Sequence, residues 1–502
     1  MCSAANNFSK EDAEDEAFWG PVIKDGKSTP VASTSQFLMT AAAIPVLATT
    51  VLPLSIVYQL LHAITKPLHA KKPPPVLDTG YVVKDGDIIP RPKRKYDLVI
   101  LGATGFTGKL AVRHMAKTYG VNSKVKWAIA GRNQTKLDQV KGDLADELGI
   151  PDLKDLDTIN VDTSKAETMP DLVRNTRAVA TTAGPFFKYG SPVVEFCAKF
   201  GTHYADITGE PTWIQQMMVT FEDTAKASGA KIISLCGHDC IPWDLAVMMV
   251  SDTLKRETGE DVAEFLVRNE LLSQGSGGTL ATLQAAISGE IINAPKKNPF
   301  YAKADSPSSK TANKVALSIL TTTHPRTGEK LYGGPFIMAL VNHACVSWSQ
   351  ALRKAGKSSY REFSIYPDLK TSFCNFVGLG GFLLAMANPL TAKLLADHVL
   401  PKPGEGPSIR SMENKFFGTI HCEGTGSNGS KAEALVYFPK CVGYMETARM
   451  VTESALFMAL QEKELPEKEG GFYTPSTGLG NVLVGRLEKT GTHFATRLRS
   501  KL

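Results

Sequence analysis

The sequence predicts an α/β chain with a doubly wound parallel sheet, a second α+β domain after it, and a membrane-associated segment ahead of both. Three observations carry this. A β-branched run at 96–101 leads directly into a glycine-rich turn and a helical pattern at 109–119. Beyond about residue 236, short alternating runs dilute the strand-then-helix rhythm. Residues 37–64 hold no Asp, Glu, Lys or Arg, and they exceed the roughly 20 residues that cross a bilayer.

At 502 residues the chain is too long for one core. With 43% hydrophobic and 21% charged residues it is neither disordered nor fibrous as a whole. The 56 Lys and Arg against 50 Asp and Glu leave a net charge of +6, too small an excess to indicate a nucleic-acid partner. Eight cysteines are too sparse for a disulfide scaffold and read as reduced thiols.

In chain order, residues 1–36 are polar and begin acidic, so they read as a disordered N-terminus and not as a secretory signal, which would start basic. The apolar segment 37–64 follows. Its Pro45 and Pro53 suit either a spanning helix or a bent segment entering one leaflet. The linker 65–95 is rich in Pro and Lys, and Lys66, His69, Lys71 and Lys72 favour the cytosolic side for the catalytic bulk. Residues 96–235 form the expected nucleotide domain, and 236–445 the expected α+β domain. Within the latter, 373–395 is a second apolar stretch, read as a helix pair buried between domains or as a lipid-touching surface or acyl tunnel. Strands at 231–235, 264–270 and 416–423 alternate as in an antiparallel sheet, and loops fall at 295–314 and 401–408. Residues 446–502 are expected to return to the first domain as helices.

The turn is Gly102-Ala103-Thr104-Gly105-Phe106-Thr107-Gly108. Strand, glycine turn and helix together make a dinucleotide fingerprint of the Rossmann kind. Gly102 permits the tight turn, Gly105 lets a pyrophosphate approach the backbone, and Gly108 lets helix and sheet pack closely. The helix start then offers free amides and partial positive charge. An NAD enzyme carries a carboxylate after the second strand to bond the ribose hydroxyl, whereas this chain has Arg132 and Asn133 there, with Lys136 nearby. A guanidinium clamps a 2′-phosphate, so the expected cofactor is NADP(H). Asp162 ends the third strand on the adenine side, and Ala183-Gly184-Pro185 follows the fourth on the nicotinamide side.

Gly184-Pro185-Phe186, Tyr189-Gly190, the run from Gly201 to Glu210, Cys236 to Asp244, Ser276 to Thr279, Pro335 to Met338 and Gly470 to Pro475 form a collinear series over about 95–495. On these motifs the chain resembles the saccharopine dehydrogenase-like oxidoreductases, in the branch of the trans-acting enoyl reductases and the eukaryotic saccharopine dehydrogenase-like oxidoreductase. The resemblance implies an NADP-binding Rossmann domain and an α+β domain for substrate binding or homodimer formation. It also implies a membrane or lipid-droplet setting, and a lipid-like enoyl or carbonyl substrate in lipid or glycolipid metabolism. Where the family has Phe-Asp-Ser, this chain has His238-Asp239-Cys240. Saccharopine itself is disfavoured, because 184–278 supplies few cations for a multi-carboxylate substrate. A nucleotide-binding scaffold without turnover is the reading from a different class.

Hydride transfer is the cofactor's chemistry, and the protein supplies orientation and a proton donor. Tyr189, His203, Tyr204 and His238 are candidate donors, and Asp206, Glu210, Asp239 and Asp244 are candidate acid/base carboxylates. Cys236, His238 and Cys240 are too cramped for a zinc site, so no metal is expected.

Overall fold

A computed structural model describes residues 10–53, 56–57, 78–84, 86–274, 280, 294–301, 312–313, 318–402 and 404–499. The expectations for the basic flank at 66–72, the loop at 275–279 and the helix at 281–288 lie outside these residues.

The first sheet is wholly parallel. Its seven strands in chain order are β1 (Tyr96–Leu101), β2 (Trp127–Gly131), β3 (Thr158–Asn160), β4 (Thr176–Thr181), β5 (His203–Asp206), β6 (Lys231–Ile233) and a late strand, Gly471–Tyr473. Spatially they run Gly471–Tyr473, β6, β5, β4, β1, β2, β3. The order reverses between β4 and β1, the switch point where a ligand binds beyond the strand ends. β1 is buried along its whole length, as a strand covered on both faces must be. The run 231–235, expected in an antiparallel sheet, instead pairs parallel with β5 through Tyr204–Ile232 and Ala205–Ile233. Its apolar residues are buried on both faces, so alternation was the wrong signal there.

The second sheet is mixed. β7 (Val262–Leu272) lies between an antiparallel partner, Phe417–Gly426, and a parallel one, Ser359–Tyr366. The Phe417–Gly426 strand then pairs with Lys431–Phe438, and that strand with the C-terminal His493–Arg499. Residues 446–502 therefore do not simply return to the first domain. The Thr447–Leu460 helix and Gly471–Tyr473 do, but the last strand closes the second sheet. Successive side chains there point to opposite faces. Ile420, Cys422, Ala434 and Val436 join the core that also holds Leu245 and Val250 of the Ile241–Thr258 helix. His421, Glu433 and Leu435 face the other way.

That other face is covered by Lys10–Asp25, a helix inside the stretch expected to be disordered. Phe18 and Trp19 are each 2% exposed. Trp19 stacks on His421 at 5.6 Å, and the Arg497 guanidinium sits 4.4 Å over the Phe18 ring. The acidic composition of residues 1–36 masked two adjacent aromatics that bury together.

The Thr34–Val46 helix starts at a Ser33–Gln36 capping box and continues through Leu47–Val51. It has no buried residue. Phe37 meets Phe373 of the Leu369–Ala387 helix at 5.4 Å, and Leu47 lies against Gly381. Leu369–Ala387 is followed by Pro389–His398 and is not sandwiched between the domains, because 17% of its most apolar window is buried. Among the described residues it is the one helix long and apolar enough to cross a membrane by length and composition. Leu38, Met39, Val46 and Phe376 are exposed on the two helices.

Candidate active site

β1 delivers Gly102 into the turn at φ +85°, where a side chain would be strained and a Cβ would lie 2.9 Å from the Ala183 amide nitrogen. A Cβ at Gly108 would collide with the Gly102 carbonyl. Gly105 is the N-cap of the Phe106–Thr118 helix, and no side chain caps that helix start. Its first amides are free for phosphate oxygens, and the turn provides the close backbone approach that a pyrophosphate needs.

Past β2, Arg132 is exposed. Asn133 N-caps the Gln134–Leu148 helix by accepting from the Lys136 amide at 2.9 Å. Its side chain is therefore committed to the helix. Asp162 accepts from the Ser164 amide and hydroxyl at 3.1 and 2.8 Å. Those bonds hold its carboxyl below the usual range, with Arg132 adding to the effect. Arg132 and Asp162, past the ends of β2 and β3, are thus close enough for their charges to interact.

At the other end, the Thr182 amide donates to the Leu101 carbonyl at 2.9 Å, fixing Ala183-Gly184-Pro185 beside Gly102. Glu210 accepts from the Phe186 and Phe187 amides at 3.0 and 2.7 Å, so it holds this loop. Burial pushes its carboxyl up to about 7. Asp206 receives bonds from Tyr204, Ser234, Thr208 and Leu235. It organises the strand ends.

Beyond this loop lies Asp239, one of the candidate acid/base carboxylates. Asp239 Oδ2 is 3.8 Å from where a Gly209 Cβ would stand, and Met338 is equally near that point. Asp239 Oδ1 is buried without a hydrogen-bond partner among the described residues. His238 Nδ1 lies 3.4 Å from it, beyond good hydrogen-bond range. Burial pushes the Asp239 carboxyl up to about 7 and holds the His238 imidazole down to about 4. The pair at neutral pH is therefore a neutral imidazole beside a carboxyl poised between its two forms. The His238 ring packs edge-on to Trp243 at 5.0 Å and to Phe336 at 6.4 Å, and its amide donates to Thr447 Oγ1 at 3.0 Å.

The neighbouring β strands supply a group that sequence reasoning missed. Trp243 Nε1 donates to Asn269 Oδ1, and Asn269 and Asn342 both donate to Glu362 Oε1 at 2.8 and 2.9 Å. The Tyr360 hydroxyl donates to Oε2 at 2.8 Å. Burial pushes Glu362 up to about 7, with the charge of Asp239 contributing to the rise. The available signal was Glu362 on the inward-facing side of an apolar strand pattern.

The other candidates do not join this cluster. His203 begins β5, three residues or about 10 Å from the strand end that faces the cofactor turn. Its Nδ1 accepts from the Lys231 amide at 3.1 Å, and burial keeps it neutral. Tyr204 is fully buried with its hydroxyl on Asp206. Tyr189 is exposed at the end of the Phe186–Tyr189 turn. Asp244 accepts from the Ser349 hydroxyl and the Ser476 amide, which is a capping role. Burial pushes the thiols of Cys236 and Cys240 up, so both pack as apolar groups.

Residues 98–233 match the saccharopine dehydrogenase NADP-binding domain. A trans-acting enoyl reductase of Mycobacterium ulcerans is 30% identical over 433 residues, spanning 81% of this chain and 99% of the relative. The chain belongs to the saccharopine dehydrogenase-like oxidoreductases, in the trans-acting enoyl reductase branch. This family member is an NADP-dependent oxidoreductase. A trans-acting enoyl reductase of Mycobacterium tuberculosis is 29% identical over 430 residues, 80% of this chain and 98% of its own. Among solved structures, the L-Glu-forming saccharopine dehydrogenase of Saccharomyces cerevisiae is similar over 80% of this chain and 99% of its own, at 10% identity and a TM-score of 0.47.

Proposed function

We propose that the chain reduces a lipid-like enoyl or carbonyl substrate at a membrane surface, with Asp239 as proton donor. The observation that carries this is the buried, unpartnered Asp239 Oδ1 beyond the nicotinamide-side loop. The Gly102–Gly108 turn would hold NADPH, which when bound would supply the hydride. Gly102, Gly105 and the first amides of the Phe106–Thr118 helix hold the pyrophosphate, and Arg132 recognises the 2′-phosphate. Reduction leaves negative charge on the substrate and requires one proton. Asp239 is within about one unit of neutrality, so it carries that proton below pH 7 and gives it up readily. His238, being neutral, does not hold the carboxyl ionised. Trp243 and Phe336 place apolar rings beside the pair. The exposed apolar side chains of Thr34–Val46 and Leu369–Ala387 support attachment to lipid.

The test is NADPH oxidation by the full-length protein with a panel of 2-enoyl thioesters and long-chain enones and ketones. Turnover with at least one member is expected, and Asp239→Asn should lower kcat about 10²–10⁴-fold with unchanged NADPH affinity. NADPH binding without oxidation by any member would favour the scaffold reading. For attachment, Leu38→Glu with Met39→Glu should release the protein from floating liposomes, and full retention would overturn it.

A further inference from the structure

A cavity of about 460 Å³ lies where the two apolar helices meet the second sheet. That size is within the range of small-molecule sites. One wall is the strap at 29–40, which precedes the region of family resemblance. The others are the ends of β7 and of the Ser359–Tyr366 strand, and the first turns of Leu369–Ala387. The strap is fixed in place, with the Thr29 amide donating to Glu270 Oε1 at 2.7 Å and the Ala32 amide to Thr371 Oγ1 at 2.9 Å.

The lining has an unusual composition. Gln36, Thr40, Ser273, Tyr366 and Asn375 offer hydroxyl and amide groups, yet no Asp, Glu, Lys, Arg or His lines it among the described residues. Just outside, Phe37 and Phe373 meet, and the exposed apolar faces of both helices begin. Pro30, Val31, Leu271, Leu272 and Ile365 share the walls with these groups, so the interior is mixed and uncharged and the rim is apolar. Ser273 lies 3.6 Å from Cys441, in the turn that leads to Thr447, whose hydroxyl accepts from the His238 amide.

We infer that this cavity binds the head of an uncharged single-chain lipid, one bearing hydroxyl, ester or ketone oxygens, whose chain leaves along the apolar faces of Thr34–Val46 and Leu369–Ala387. A phosphate or carboxylate head would bring a charge into a pocket with no counter-charge, which is costly. An oxygenated neutral head finds donors and acceptors instead. The inference rests on the lipid reading above and adds to it a separate binding site, on the second sheet, for a long-chain lipid free of phosphate and carboxylate.

The test is equilibrium dialysis of the full-length protein against radiolabelled 1-oleoylglycerol and, separately, oleate, each below its aggregation threshold. The two probes share a chain and differ in the charge of the head. Wild type should bind one 1-oleoylglycerol, with oleate at least about tenfold weaker. Cys374→Trp fills the cavity and should lower 1-oleoylglycerol binding by a similar factor. Thr40→Lys supplies the missing cation and should reverse the preference towards oleate. Equal binding of both probes, no binding of 1-oleoylglycerol, or an unchanged preference in Thr40→Lys would each overturn the inference. NADPH titration of the same proteins reports folding, and its failure in wild type would sink the reductase reading while leaving the lipid-binding result to stand by itself.

Discussion

The two ends of the catalytic space are built in opposite ways. The nucleotide end is seven consecutive residues, Gly102 to Gly108, between one strand and one helix. The proton-donor end draws Asp239 from a loop, Asn269 and Glu362 from two strands of the other sheet, and Asn342 from a helix. The first is specified by backbone sterics and the second by burial. A local device tolerates no extra atoms, whereas an assembled one tunes ionisation through distant partners.

The sharpest way to test the contrast is Gly108→Val. The added Cβ has nowhere to go against the Gly102 carbonyl, so NADPH binding should be lost outright in a calorimetric titration. Measurable affinity would show that the turn can open. Arg132→Ala comes next. It removes a charge-assisted contact of about 1.5–3 kcal/mol, so NADPH should bind about 10–100-fold more weakly while NADH is little changed. Equal losses would refute the 2′-phosphate assignment.

At the assembled end, Glu362→Gln should leave both affinities alone. Removing that neighbouring negative charge eases ionisation of Asp239, so the descending limb of the pH–rate profile should move to lower pH. An unmoved limb would detach Glu362 from the site. The smallest effect on catalysis is expected from Trp19→Ala, which should cost about 3 kcal/mol of packing. It should expose Lys10–Asp25 to protease without altering NADPH binding. A change in cofactor affinity would mean that the N-terminal helix reaches the site.

This division also explains what could be read in the sequence. The strand, turn and helix at 96–118 were legible because sterics act between near neighbours. So were the places of Arg132 just past β2 and of the small-residue turn after β4. The N-terminal helix was not, because the partner of Trp19 is His421, some 400 residues away, and only the sheet brings them together. The placement of 231–235 failed because buried parallel strands do not alternate. His203 and Tyr204 looked like donors by residue type, but β5 carries one of them away from the cofactor edge and buries the other against Asp206. Glu362 carried one weak signal, its alternate position with Tyr360 on the Ser359–Tyr366 strand, and nothing in that spacing pointed to a partner. Its significance comes from Asp239, Asn269 and Asn342, which are neighbours in space alone.

The most direct measurement is the pH dependence of NADPH oxidation from pH 5 to 9 for wild type and Asp239→Asn, using the best substrate of the panel. A carboxyl raised to about 7 is protonated below that value. The wild-type rate should therefore be full in acid and fall as pH rises through about 7. The variant should be slow and lack that limb. The same limb in both proteins, or an undiminished rate in the variant, would contradict Asp239 as the proton donor.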